Sequence, residues 1–346
     1  MRFARLFAAL VLAATATVAA AATIKPLATS TKPVVRLAAD GDRIAWISGS
    51  CDTVRIRKLS RRKTVSVGDA RVADCGPTVP PLLALAGGRA LWVLTSTGNN
   101  VYRDVLTGAA GERQKRLSQI VGASSGGDGE YLTDLTGDGA TLLYSVVTMT
   151  MLDTCVEPGT PCEYFVTGGR VRRVVGRSTR AVPKAPPAIR ISAQGHRYAA
   201  IVAAHDSASP EPTPDSRVEV REVATGAIVT RVVITGRPLD LALGPSMIAV
   251  LTQGSSGRRI ELWGVRNGAG GASIAVPTNA SDLSISARDV VYRSGRAIHV
   301  RDGVTRRDRR VAIARAAPVG LTIEGFRVIW AENTRHGNRI VWVPFD

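Results

Sequence analysis

DGDRIAW at 40–46, AGGRALW at 86–92, GDGATLLY at 137–144, QGHRYAA at 194–200, LGPSMIA at 243–249, ARDVVY at 287–292 and EGFRVIW at 324–330 are seven versions of one phrase. In most of them a turn carrying glycine is followed by a short apolar strand that ends in a large or aromatic residue. Glycine and aspartate favour such turns, because glycine reaches positive φ without strain and aspartate bonds to nearby amides. A phrase recurring every 40 to 50 residues and built from strands marks a β-propeller, in which each repeat is one blade. The expected fold is therefore all-β: seven blades of four antiparallel strands, with six or eight as the alternatives.

The first repeat shows the parts of a blade. Val34 to Ala39 is a short strand, Asp40 to Asp42 a turn, and Arg43 to Ile47 a second strand. Thr53 to Leu59 alternates Val54 and Ile56 with Arg55 and Arg57, the period of a half-buried strand. Thr64 to Val67 completes the set. The third strand returns at 100–106, 163–169, 217–223, 259–265, 297–303 and 339–345, and fourth strands are expected at 117–121, 171–175, 229–233, 272–276 and 311–314. The seventh repeat has only three strands before the sequence stops, which would leave an exposed edge. Residues 22–30, ATIKPLATS, are apolar enough to fill that place, so the N-terminal strand is expected to close the ring against 339–345. Stretches 122–130, 149–162 and 204–216 break the rhythm and are expected to be exposed loops.

Residues 1–22 have the layout of a cleaved secretory signal: Arg2 and Arg5, an apolar run from Leu6 to Val18, then small residues. That run falls short of the roughly 20 residues needed to cross a bilayer. The mature chain, 23–346, is expected to be a single propeller domain, secreted or extracytoplasmic, with a place at the cell envelope open to it. Export puts Cys51, Cys75, Cys155 and Cys162 where disulfides persist. Four cysteines allow three pairings, and the local one, Cys51 with Cys75 and Cys155 with Cys162, needs no strand to be crossed. The formal charge is +17, with only six of the 45 basic residues lysine. Such a field favours anionic partners, although the Arg, Ala, Gly and Val bias of a GC-rich genome accounts for much of it.

In its turn-then-strand phrase the chain resembles the exported bacterial propellers related to the TolB C-terminal domain and other WD40-like propellers. DGDRIAW, with Asp40, Gly41, Asp42 and Trp46, comes nearest, and GDGATLLY follows; the fourth to sixth repeats depart from the pattern. There is no GH and WD pair. The resemblance implies a protein-binding or ligand-binding platform and carries no catalytic residues across.

The chemistry-bearing residues do not assemble in the sequence. His196, His205, His299 and His336 have no partner at metal-ligand spacing, and Ser246 in LGPSMIA lacks the second glycine of a nucleophile turn. Asp40 with Asp42 and Asp134 with Asp138 fit turn chemistry better than a calcium loop. The aromatics at 46, 92, 144, 292 and 330 share one repeat position and are expected to pack between blades. Basic clusters at Lys58, Arg61, Arg62 and Lys63, at Arg170, Arg172 and Arg173, and at Arg306, Arg307, Arg309 and Arg310 are expected between third and fourth strands, on the outer rim. There they guard edge strands, and the last group is the candidate anion-binding site. No catalytic, cofactor or metal residues are assigned. The expected function is a non-enzymatic scaffold that binds a protein or an anionic envelope polymer through blade loops. Nucleic acid is disfavoured, because no aromatics are interleaved with the arginines. The alternative is a propeller enzyme of lyase or glycosidase type, with acids gathered at the axial funnel.

Overall fold

The computed structural model describes residues 23–49, 53–61, 63–69, 81–97, 100–123, 128–151, 164–204, 216–287, 289–303 and 305–345. The proposed signal, all four cysteines, His205, Arg62 and most of the three expected loops lie outside them. The chain enters as β1 (Lys25–Ser30) and then forms a four-stranded sheet from β2 (Val34–Asp40), β3 (Arg43–Ser48), β4 (Thr53–Lys58) and β5 (Thr64–Gly68). Next come β6 (Leu83–Ala86), β7 (Arg89–Thr97), β8 (Asn100–Ala109), β9 (Lys115–Ala123), β10 (Gly129–Asp138), β11 (Thr141–Met151), β12 (Tyr164–Val175) and β13 (Ser178–Ala181). A four-stranded sheet follows from β14 (Ala188–Gln194), β15 (Arg197–Val202), β16 (Arg217–Glu222) and β17 (Ile228–Val233), and another from β18 (Arg237–Leu243), β19 (Met247–Gly254), β20 (Gly257–Gly264) and β21 (Gly270–Val276). Then come β22 (Ala280–Ser286), β23 (Asp289–Ser294), β24 (Ala297–Asp302) and β25 (Asp308–Ile313), and finally β26 (Pro318–Glu324), β27 (Arg327–Thr334) and β28 (Gly337–Pro344).

Each blade is an antiparallel meander, and the repeated phrase is its first hairpin. Asp40 pairs with Arg43 and Ala86 with Arg89 across two-residue turns whose first residues, Gly41 and Gly87, have φ of 58° and 56°. A tight hairpin of this kind matches the right-handed twist of its strands only when φ is positive there. Strands β2, β6, β10, β14, β18, β22 and β26 each pack against the next in that order, and β26 also packs against β2. β1 pairs with β28 from Lys25 opposite Trp342 to Ser30 opposite Asn338. The Asn333 side chain of β27 accepts from the Val34 amide at 2.8 Å and donates to its carbonyl at 2.7 Å.

Two expectations need correction. Seven separate sheets were expected, and the structure has five separate four-stranded sheets; β6–β13 form one continuous eight-stranded sheet. The join is a single pair, Gly122 of β9 opposite Gly129 of β10. It depends on bare backbone, because a Cβ on Gly122 would lie 3.0 Å from the Glu130 carbonyl oxygen. The second correction concerns residues 171–175, expected as a fourth strand. They continue the third strand, β12, and the fourth is β13. Thr167, just before Gly168 and Gly169, is an extra residue in β12, where the β11–β12 register shifts between Thr148 and Met149. A bulge bends a strand without ending it. Arg170, Arg172 and Arg173 therefore lie within β12 rather than after it, and Arg170 Nη2 donates to Glu130 Oε2 at 2.6 Å.

The core is a series of interblade layers. Trp46 packs with Ile329, Ala331 and Ile340 of the neighbouring β27 and β28. Trp92 packs with Ala45, Ile47 and Val67 of the preceding blade, Tyr144 with Leu91 and Val105, Tyr292 with Ala249 and Leu251, and Trp330 with Val291 and Val300. All five aromatics are fully buried. Where Ala200 leaves this position small, Tyr198, two residues earlier on the same strand face, fills the layer; in β19, Ile248 and Val250 do so. Trp92 also dictates a glycine, since a Cβ on Gly68 would come within 2.4 Å of its ring.

Truncating a buried tryptophan removes packing that its surroundings cannot restore. Trp330→Ala should lower unfolding free energy by about 3–5 kcal/mol, while Phe326→Ala, at a side chain 75% exposed, should change it by less than about 0.5 kcal/mol. Urea unfolding of the two variants beside the parent tests this, and equal effects would remove interblade packing as the source of stability.

Candidate functional site

The first strand of each blade has one edge facing the axis, so its amides on that side lack a strand partner. A buried amide without an acceptor costs free energy comparable to a lost hydrogen bond. Short polar side chains from neighbouring blades supply the acceptors. Asp134 Oδ2 accepts from the Ile191 amide at 3.0 Å, Thr136 Oγ1 from Ala193 at 2.9 Å and Asp138 Oδ2 from Gly195 at 2.6 Å, all across the β10–β14 boundary. Ser192 accepts from Leu243 at 3.0 Å, Asp240 from Leu283 at 2.8 Å, Ser284 from Ile323 at 3.2 Å and Glu324 from Gly41 at 2.9 Å. Asp40 uses both oxygens, toward Gly87 at 2.7 Å and Gly139 at 2.8 Å.

These side chains line two connected cavities. One, of about 410 Å³, is bordered by Asp138, Gln194, Ser286 and Glu324, and the other, of about 500 Å³, by Arg36, Asp134, Arg190, Asp240 and Asp282. Thr136, Ser192 and Leu241 border both, so the two cavities adjoin along the axis, together the axial channel. Bulges set the second end. The register shifts at Val34/Arg36, Leu132/Asp134, Ala188/Arg190, Pro238/Asp240, Ser281/Ser284 and Val319/Leu321, each near the start of an inner strand. Bulges of this kind re-aim a side chain, and here they place Arg36, Asp134, Arg190, Asp240 and Asp282 on the cavity wall. The signal is present in the sequence as a charged residue followed by Leu or Ile, three or four residues before the strand's end: Arg36-Leu37, Asp134-Leu135, Arg190-Ile191, Asp240-Leu241 and Asp282-Leu283.

Burial shifts the axial acids toward their neutral forms. Glu324 is pushed up to about 7 by burial, with the negative charges of Asp40 and Asp138 adding to the effect and the Gly41 amide opposing it. Asp138 is raised by burial, opposed by the Gly195 amide and assisted by Asp40. At the other end burial pushes Asp240 up to about 6, against two backbone amides and Arg190, while Asp134 is raised by burial in spite of Arg190 and Arg36.

The other residues singled out in the sequence fall elsewhere. Asp42 leaves the axis and pairs with Lys58 at 3.2 Å. His196 lies 3.5 Å from Glu222, His299 stacks on Tyr292 at 4.9 Å between ring centres, and neither borders the axial cavities. Ser246 Oγ donates to the Ala287 carbonyl at 3.2 Å, a turn contact rather than a nucleophile's pairing. Among the described residues no group of three or more His, Cys, Asp or Glu is placed to hold a metal ion, and no helix is long and apolar enough to cross a membrane. Arg306 and Arg307 occupy the β24–β25 turn, tied by the Arg306 amide to the Asp302 carbonyl at 2.9 Å. Arg309 and Arg310, expected before the fourth strand, instead follow Asp308 within β25, and all four arginines are exposed.

No known protein family matches the sequence, and no curated protein does. Solved structures do match. The alignment covers 93% of this chain and 87% of Sqt1 from Saccharomyces cerevisiae, at 11% identity and a TM-score of 0.51. It covers 93% of this chain and 97% of the RRP9 WD40 repeats, at 11% and 0.51, and 92% of this chain with 98% of the matched chain of Kuenenia stuttgartiensis hydrazine synthase, at 11% and 0.54. The fold is a WD40-like β-propeller. Its blades are four-stranded and antiparallel, as the repeat predicted, and at this level of identity the likeness speaks for the fold alone.

Glu324 links the channel to pH. Its folded-state value of about 7 stands above the ordinary 4.5, so the folded state binds a proton more tightly than the unfolded chain between those values. Its contribution to stability is present below about 4.5 and is lost as pH rises through 7. Glu324→Gln keeps an oxygen for the Gly41 amide and removes the titration. The drop in urea midpoint from pH 5 to pH 8 should be smaller in the variant than in the parent; an unchanged drop would mean that Glu324 is not responsible.

Proposed function

We propose that the chain is a seven-bladed propeller closed by its N-terminal strand, and that it works outside the cytoplasm as a binding scaffold without catalysis of its own. Seven blades follow if the eight-stranded sheet is counted as two, each with its own inner strand, β6 and β10. Closure is supported by the β1–β28 pairing and by the contact of β26 with β2. The scaffold's partner is a protein or a polyanionic component of the cell envelope, held through loops and rim. The observation that carries this reading is the occupation of the axial carboxylates: Asp40, Asp134, Asp138, Asp240 and Glu324 all accept from backbone amides. They hold blades together, and the groups left to meet a partner are peripheral. Arg306, Arg307, Arg309 and Arg310 form the densest of these, exposed, with Asp302 and Asp308 as acidic neighbours. Asp308 is itself engaged by Tyr292 and by His299 at 3.2 Å.

The alternative, a propeller enzyme of lyase or glycosidase type, draws on one observation. Burial raises Glu324 and Asp240 toward neutrality beside cavities, and such shifts cluster at catalytic sites. Turnover of an envelope glycan by the parent, lost in Glu324→Gln or Asp240→Asn, would replace the scaffold reading.

The direct test is retention of the mature chain on anionic resin and on isolated envelope, titrated with salt. Exposed charge pairs are screened within about 10 Å at 0.1 M salt, so retention should fall as salt rises. Reversing Arg306, Arg307, Arg309 and Arg310 to Glu should release the protein at markedly lower salt than reversing four scattered arginines. Equal loss in the two variants would show that the rim cluster is not a site. Cross-linking in envelope extract should then recover a protein partner, if the partner is one.

A further inference from the structure

We propose that the Arg36 and Arg190 end of the axial channel is a binding site for a small ligand that carries one terminal oxyanion, a carboxylate or a phosphate. The inference goes beyond the scaffold reading and rests on the channel, whereas that reading rests on the rim.

The charged side chains bordering the 500 Å³ cavity can be accounted for one by one. Arg258 donates Nη1 to the Ala280 carbonyl and Nε to Gln253 Oε1 at 3.3 Å. Asp282 is paired with Arg293. Asp134 has one oxygen on the Leu135 amide at 2.9 Å and the other on Ile191 at 3.0 Å; Asp240 does the same with Leu241 at 2.9 Å and Leu283 at 2.8 Å. Both carboxylates are thus committed to backbone. Arg36 and Arg190 remain, each half-buried on the wall, and among the described residues neither makes a hydrogen bond or a contact ion pair. Asp134 lies within electrostatic reach of both, which places the two guanidiniums around one region of the cavity.

A guanidinium presents five donors in a planar fork that fits carboxylate and phosphate oxygens two at a time. Drawing such a group partly out of water without a hydrogen-bond partner is unfavourable; Asp134 and Asp240, the carboxylates within reach, are held by backbone amides, and an anion in the cavity would supply the partner the forks lack. The forks come from β2 and β14, which are not neighbouring inner strands, and both sit at bulges that turn them to the axis. They therefore meet an anion from two sides. A cavity of this volume falls in the range of small-molecule sites. Beyond the forks the channel is bordered by Thr136 and Ser192 and ends at Asp138 and Glu324, so a second anionic group at the far end is disfavoured. The site selects a ligand with one anionic head and a neutral or cationic remainder.

Calorimetric titration of the mature chain with inorganic phosphate in one arm and acetate in the other, at matched ionic strength, tests this. Binding in either arm is expected, and the arm that binds more tightly identifies the head group. Loss of a charged hydrogen-bonding partner should weaken Kd about tenfold or more in Arg36→Gln and in Arg190→Gln, and Arg266→Gln, at an exposed residue outside both the axial cavities and the rim cluster, should leave it within about twofold. Arg36→Lys and Arg190→Lys, which keep the charge and lose the fork, should also weaken binding and serve if a Gln variant fails to fold. No binding of either anion, or the same Kd in the axial variants as in the parent, overturns the proposal.

Discussion

The inner edge of each blade is the constraint on which the rest of this propeller depends. A meandering sheet pairs its inner strands on one side only, and the edge at the axis carries amides that water reaches poorly. Here Asp, Glu, Ser and Thr side chains from neighbouring blades accept from those amides, as at Asp134 with Ile191 and Ser284 with Ile323. The same contacts tie blade to blade, so satisfying the backbone and packing the blades together are one event. Net hydrogen-bond contributions are modest, but leaving such groups unsatisfied is not, and the polarity of the channel follows from that asymmetry. Apolar burial between blades, through Trp46, Trp92, Tyr144, Tyr292 and Trp330, provides the non-directional part of the stability.

Much of this was legible in the residues. The hairpin turn at Asp40–Arg43, the aromatic four positions into β3 and its equivalents, and the alternation of Val54 and Ile56 all follow from local rules that hold in any blade. The misreadings occurred where tertiary context overrides a local signal. Residues 171–175 look like a strand of their own, and only the β11–β12 pairing reveals that they continue β12 past a bulge at Thr167. Gly122 and the residues after it look like a loop, and only contact with Gly129 reveals a sheet that continues. The Asp pairs were expected to serve nearby turn amides, whereas Asp40 accepts from Gly87 and Gly139, 47 and 99 residues away, Asp42 pairs with Lys58, and Asp134 lies within β10 and accepts from Ile191.

The candidate site was harder to read than the fold. The charged residue preceding Leu or Ile in five inner strands is a repeat as regular as the glycine turn, yet nothing in a sequence says which strand faces an axis. The rim arginines stand out because they are adjacent in sequence. Arg36 and Arg190 are 154 positions apart and acquire a shared role only when β2 and β14 border one cavity. Contiguity therefore drew attention to the exposed cluster, while the half-buried pair required the topology.

The fused sheet from β6 to β13 makes the blades mechanically unequal. Elsewhere neighbouring blades meet through side chains and can shift against each other as packed layers do. At the join one backbone pair, Gly122 with Gly129, links β9 to β10. Asp40 reaches into both halves of that sheet, at Gly87 and at Gly139. A shift between the two halves of this sheet must break that backbone pair, whereas a shift between separate sheets need only re-pack side chains.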